Sequence, residues 1–265
     1  MKKKIFSLCL GVALAATAII GGTLAYFTDT DKATNTFTTA NVKIDLIEQQ
    51  RNDEGTALED FENNKVLMPI VGSAQGEKDQ FGLATAENYV DKIVTVKNLA
   101  SDAYVRVYYA IPEALDNVTD AGKNVLHVNA GNKFVADGNK TDSQAINDDF
   151  TGYMGDETLL YEAYNINGAS YNIYYRDYNK ILTKDEVTGA AFIVGLYLDK
   201  GVDYDNDNGC YTINDQKIDY DFSNGVNIPV FAVGVQSSGF EETGCAAAVE
   251  AAFGANYNPW ATDTE

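Results

Sequence analysis

Few side chains in this sequence can do covalent or metal chemistry. It holds one histidine, His127, within NVLHVN, and three cysteines: Cys9 in an apolar N-terminal run, and Cys210 and Cys245, 35 positions apart. A catalytic zinc takes several His or Cys ligands. Neither H-E-x-x-H nor G-x-S-x-G occurs. A Ser-His-Asp or Cys-His site would also have to use His127. The chain therefore reads as non-enzymatic and free of cofactors, with His127 an ordinary strand residue. Asp203, Asp205 and Asp207, followed by Gly209, begin like a calcium loop. The glycine comes one position late, Asn214 stands where the twelfth-position acid belongs, and flanking helices are missing. A hydrophilic turn between strands is the expected reading. Cys210 and Cys245 are either a disulfide, worth about 4 kcal/mol in the chain-entropy model, or two independent buried thiols.

The remaining chemistry is peptide-bond cleavage performed on the chain itself. Lys2, Lys3 and Lys4 form a basic start, residues 5–20 are apolar and uncharged, and Gly21-Gly22 breaks the run. Thr23-Leu24-Ala25 then puts small residues before a cut at Tyr26. Small-x-small sites at 13–15 and 16–18 lie inside the apolar run and rank below it. An uncleaved anchor is the alternative, but the run is slightly short of the roughly 20 residues a spanning helix needs. The expected organisation is a signal peptide over 1–25, an N-terminal arm over 26–40 and one domain over 41–265. No other uncharged run approaches membrane-spanning length.

Charge narrows the function further. The chain has 19 Lys+Arg against 39 Asp+Glu; without the three leader lysines the balance is 16 against 39, net −23. Phosphate backbones and anionic lipid surfaces repel such a protein, which excludes nucleic acid and, after cleavage, membrane as partners. Acidity is compatible with cation binding or with an assembly whose charge is screened.

The elements that must position these residues are strands. Val42, Ile44 and Leu46 alternate with polar neighbours at period two. YVDKIVTVKNLA and AYVRVYYAI flank Ser101-Asp102 and read as a hairpin, with Val105, Val107 and Tyr109 on one face. Asn167-Gly168 is the strongest hairpin signal, followed by YNIYYRDY. AAFIVGLYL (190–198) and VNIPVFAVGV (226–235) are core-type strands, while residues 51–64 read as a surface loop. Residues 116–156 are a long Asn/Asp/Gly-rich excursion whose one strand-like piece is 124–128. Ser238 and Glu241 make a capping box for a short helix that carries Cys245, Ala248, Val249 and Ala252 on one face and ends at Gly254. The expected fold is all-β: a two-sheet antiparallel β-sandwich of jelly-roll type with long acidic loops and a short C-terminal helix.

The opening stretch GGTLAYFTDTDKATNTFTTANVKIDLIE (21–48) resembles the N-terminus of the TasA/CalY/camelysin family. The matching features are the Gly-Gly-Thr-x-Ala cut region, Tyr26-Phe27, Thr28-Asp29, Thr36-Phe37 and the first strand. VDKIVTVKNLASDAYVRVYYAI and VNIPVFAVGVQSSGF echo the family's central hairpin and last core strand. The resemblance implies a secreted Gram-positive jelly-roll protein of the cell surface or biofilm matrix, processed by a signal peptidase of the SipW type. Some members polymerise with themselves, their cleaved arm completing a sheet of the next subunit, and other matrix proteins are partners. Mapped here, the donor is residues 26 to about 37, anchored by Tyr26, Phe27 and Phe37; the alternatives for this segment are a disordered leader or a strand that completes its own subunit's sheet. Camelysin-type relatives have been described as metallopeptidases, which the residues above do not match. A monomeric adhesion module, using acidic loops or tyrosine-rich strands, is the alternative.

Overall fold

The computed structural model describes residues 28–32, 35–37, 42–62, 65, 67–116, 124–130, 152–222 and 225–261, the first two stretches by their backbone. Its elements are overwhelmingly strands, and every pairing between named strands is antiparallel.

Six strands form one sheet in the order β2-β1-β14-β6-β9-β8. They are β1 (Thr28–Lys32), β2 (Asn35–Phe37), β6 (Ala103–Pro112), β8 (Thr158–Ile166), β9 (Ala169–Asp177) and β14 (Val230–Gln236). Five more form a second sheet, β4-β3-β5-β10-β7: β3 (Ile44–Arg51), β4 (Leu58–Asp60), β5 (Val90–Asn98), β7 (Leu126–Asn129) and β10 (Ile193–Leu198). A small meander, β11 (Val202–Asp205), β12 (Cys210–Ile213) and β13 (Gln216–Lys217), adds a third sheet that sequence reading did not anticipate.

The two large sheets share one core. Val42, Ile44, Leu46, Val94, Val96 and Leu196 from one side meet Val105, Val107, Tyr109, Val230 and Ala232 from the other. Period-two alternation decides which residues these are. On β6, Val105, Val107 and Tyr109 enter this core, while Tyr104 and Tyr108 point to the opposite face. That outer face is covered by the ten-residue helix α2 (Gly244–Phe253), which buries Cys245, Ala248 and Val249 against Phe231, Val233 and Val235. A single helical turn, α1 (Glu113–Asp116), follows β6.

Three expectations are corrected. β5 and β6 are not a hairpin: they lie in different sheets, and residues 99–102 carry the chain from one to the other. Asn98 stabilises that corner, its side-chain amide donating to the carbonyls of Ser101 (2.8 Å) and Leu182 (2.7 Å). Residues 51–64 include β4, which pairs with β3 as an edge ribbon. Ser238 and Glu241 do not cap the helix, whose N-cap is Thr243; Glu241 instead accepts the N–H of Gly239 at 2.9 Å. The Asn167-Gly168 hairpin is present, with both residues at positive φ (52° and 91°) as a two-residue turn requires. The helix ends at Gly254 as expected.

Candidate functional site

β14 (VFAVGVQ) is an uncharged strand whose two faces are both buried. Val230 and Ala232 belong to the inter-sheet core; Phe231, Val233 and Val235 lie under α2. One of its edges pairs with β6 along its full length, from Val230↔Tyr109 to Gln236↔Ala103. Its inner face is closed at Gly234: a Cβ there would sit 2.9 Å from Ile44 Cγ2 and 3.0 Å from Val42 Cγ1, so only glycine lets the start of β3 cross so closely. Among the described residues its remaining edge is covered by the arm alone. β1 pairs with β14 from Thr28↔Val235 to Lys32↔Phe231, and β2 pairs back on β1 from Lys32↔Asn35 to Thr30↔Phe37.

The structure thus places the backbone of part of the predicted donor on its own subunit's sheet. Thr23, Ala25, Tyr26 and Phe27 lie outside the described residues, so the cut region and two of the three anchors are not located; Phe37 ends β2. Of the 116–156 excursion, residues 117–123 and 131–151 also lie outside them, while the strand-like piece forms β7 on β10.

At the foot of β14 the two sheets part around a cleft of about 570 Å³. Leu46, Leu67, Leu196, Val226, Ile228 and Val230 line it. Lys92 and Glu48 also face it, joined at 2.6 Å, with the Lys92 ammonium 4.5 Å from the centre of the Phe61 ring. Asp45, Asp60, Lys65 and Asn227 line it as well, so the cleft pairs an aliphatic wall with a polar, charged one. Sequence reading missed it, because it depends on the tertiary approach of residues 226–230 to β3 and β5.

The other residues singled out by type are dispersed. His127, on the edge strand β7, stacks on Tyr197 (4.6 Å between centres, 5° between planes), and its Nε2 lies 3.1 Å from Asp199. Asp203, Asp205 and Asp207 sit on or beside the β11–β12 turn. There Asp205 accepts the N–H groups of Asp207 (2.9 Å) and Asn208 (3.1 Å) and the Asn208 amide (2.6 Å). Those bonds, the Asn208 side chain's first, hold the Asp205 carboxyl below its ordinary range. The turn's own amides satisfy this carboxylate, as in a hydrophilic hairpin turn. Cys210 and Cys245 are separate free thiols. The first is half-buried on β12; the second is buried on the inner face of α2, where burial and then the neighbouring Asp177 charge push its pKa up. Among the described residues no group of three or more His, Cys, Asp or Glu side chains is placed to hold a metal ion. No described helix is long and apolar enough to cross a membrane.

The meander carries a second concave surface. Tyr204, Tyr211, Tyr220 and Phe222 line it in successive edge-to-face contacts (5.1, 4.8 and 5.1 Å between ring centres), with Asp219 and Asp221 beside them.

Comparison with known proteins agrees with the N-terminal resemblance. No curated protein and no solved structure matches the chain. The family model described as camelysin metallo-endopeptidase matches residues 1–51, about a fifth of the length. Among the described residues the metal that this description implies finds no fitting donor set: the lone histidine is engaged by Asp199, and the two described cysteines lie on different elements. Over its first 51 residues, through β1 and β2 to the end of β3, the chain is similar to the camelysin metallo-endopeptidase family.

Proposed function

We propose that this protein is a secreted structural subunit of the extracellular matrix, a two-sheet sandwich of jelly-roll type that forms fibres by strand exchange. Cleavage after Ala25 frees the arm, and the arm of one copy then covers β14 of the next. One observation carries this reading: the strand closing the apolar β14 edge is the chain's own N-terminal segment, TDTDK, which brings main-chain hydrogen bonds and little apolar surface. A strand held chiefly by backbone pairing is replaceable by the identical strand of a neighbour at almost no change in local energy. Each copy has one arm and one β14 edge, so the exchange is head-to-tail and, where it does not close a ring, propagates a filament.

Electron microscopy of protein starting at Tyr26 against protein starting at Val42 tests this. Filaments are expected from the first only; filaments from both, or from neither, remove the role assigned to the arm.

A second reading, a monomeric binding module, is favoured by the aromatic groove of the meander and its acidic rim, which suit a cationic ligand. Saturable binding of a lysine-rich peptide, lost on Tyr204→Ala, would support it.

A further inference from the structure

We infer that the exchanged arm does not keep the β1–β2 hairpin: in the next copy it runs straight along β14 and seats Phe37 in the cleft at that strand's foot. This rests on the strand-exchange reading above and adds its register and its anchor pocket.

The register of β1 on β14 is fixed by Thr28↔Val235 and Lys32↔Phe231. Carried forward without the turn, it sets Ala33 opposite Val230, Asn35 opposite Ile228 and Phe37 opposite Val226. The backbone of the receiving segment is ready for this. Pro229 accepts the N–H of Ala110 at 3.0 Å, so its backbone faces β6, and its missing N–H is no loss on the open edge. β14 itself begins at Val230; continued below it as the extended chain that the Pro229–Ala110 bond starts, residues 226–229 turn the amides of Ile228 and Val226, like that of Val230, to the open side. Among the described residues, those of Ile228 and Val226 donate to no backbone carbonyl.

The faces agree as well. Val226, Ile228, Val230 and Ala232 all pack toward the inter-sheet core, whereas Phe231 and Val233 pack under the helix. Directly opposed residues of an antiparallel pair share a face. Phe37 therefore arrives on the side of the cleft, beside Val226, Ile228 and Leu67. A phenyl ring suits this wall of aliphatic side chains, and five residues at about 3.4 Å each cover the distance from Lys32.

Chain length explains why the cleft is not filled this way within one subunit. Val42 lies against Gly234 of β14, eight residues along the chain from Val226, or about 27 Å once residues 226–229 pair as an extended continuation of that strand. The five residues from Phe37 to Val42 span at most about 17 Å. A straight arm cannot return to its own β3, so in its own subunit it must double back as β2. Only the β14 of a second copy can receive residues 33–37. That asymmetry favours exchange: the intermolecular strand gains further backbone pairs and the burial of Phe37.

The test uses the chain from Tyr26 with Cys210→Ser. Copies carrying Asn35→Cys are mixed with copies carrying Ile228→Cys under mild oxidation, and a disulfide between them is read on a non-reducing gel. The straight register places these two residues opposite one another, and the cross-link is expected in filaments. Phe37→Ala is expected to raise the concentration needed for assembly about tenfold or more, the loss of one buried aromatic. A chain locked as a hairpin by Thr30→Cys with Phe37→Cys is expected not to assemble until reduced. Filaments that form without the Asn35–Ile228 link, or from the locked hairpin, overturn this inference and leave strand exchange standing. Absence of filaments from the unmodified mature chain overturns strand exchange itself.

Discussion

The six-stranded sheet ends in β8 at one side and, beneath the arm, in β14 at the other, and the two margins are protected by different means. β8 is nine residues long and among the described residues pairs only with β9, yet its ladder slips twice, between Leu159 and Tyr161 and between Tyr161 and Tyr164. Each slip inserts a residue that twists the strand and interrupts the row of free amides and carbonyls, and Glu162 adds a charge. β14 has none of these devices. It is regular and uncharged, the type of segment that pairs readily with another chain, and among the described residues its only cover on that side is β1. A margin blunted by its own sequence is permanently inert. A margin blunted by a separate segment is inert only while that segment stays, which is why the proposed assembly surface is β14 and not β8.

Both margins hang on β6 and β9, and the largest effect is expected there. Arg106 of β6, only 6 % exposed, makes a two-pronged contact with Asp177 of β9 (2.5 and 2.8 Å) and lies 4.0 Å from the centre of the Tyr175 ring. Asp177→Ala leaves the guanidinium buried without its counter-charge, a loss of about 3–5 kcal/mol. Urea unfolding should show a lower midpoint with an unchanged slope. A loss under 1 kcal/mol would mean that the frame between the margins does not depend on this pair.

A smaller effect is expected at the β14 margin. Gly234→Val puts three carbons where Val42 and Ile44 already stand, so either β14 or the start of β3 must move. Overpacking of this kind costs about 1–3 kcal/mol. Because the displaced residues lie where the arm joins the body, the variant should also alter the concentration at which filaments appear. A variant with unchanged stability would show that β3 does not pin this margin.

Strand content and facing were legible in the sequence because period two is a local property: Val105, Val107 and Tyr109 lie on the predicted face. Asn167-Gly168 is legible for the same reason, since its φ values are a property of two residues. Sheet membership was not. The pattern of 89–112 is identical whether its halves pair with each other or pass to opposite sheets, and the decision lies with Asn98 and its distant partner Leu182. Ser238 and Glu241 have capping spacing, but Gly239 and Gly244 at positive φ delay the helix. The candidate site divides in the same way. VFAVGV is visibly apolar in the sequence, whereas the cut region and the anchors Tyr26 and Phe27 lie outside the described residues. That β14 lies at a margin, and that a cleft opens beneath it, follows only from the order of strands brought together from opposite ends of the chain.

The smallest expected effect probes the β8 margin at Ala163. This exposed alanine has φ +49°, a left-handed conformation held in part by its N–H donating to the Asn172 amide oxygen at 3.1 Å. Ala163→Gly removes the steric penalty of a Cβ in that region while keeping the extra residue, so a gain of about 0.5–1 kcal/mol is expected. The protein should remain as monomeric as before along this margin. Deleting Ala163 instead removes one of the two slips and brings the Tyr161–Tyr164 stretch into regular pairing with β9. Placed in the chain whose arm is locked by Thr30→Cys with Phe37→Cys, so that β14 stays covered, the deletion should produce concentration-dependent dimers in sedimentation velocity. If the deletion variant is folded and stays monomeric, irregularity is not what keeps β8 inert, and the contrast between the two margins reduces to charge and to the cover that β1 provides.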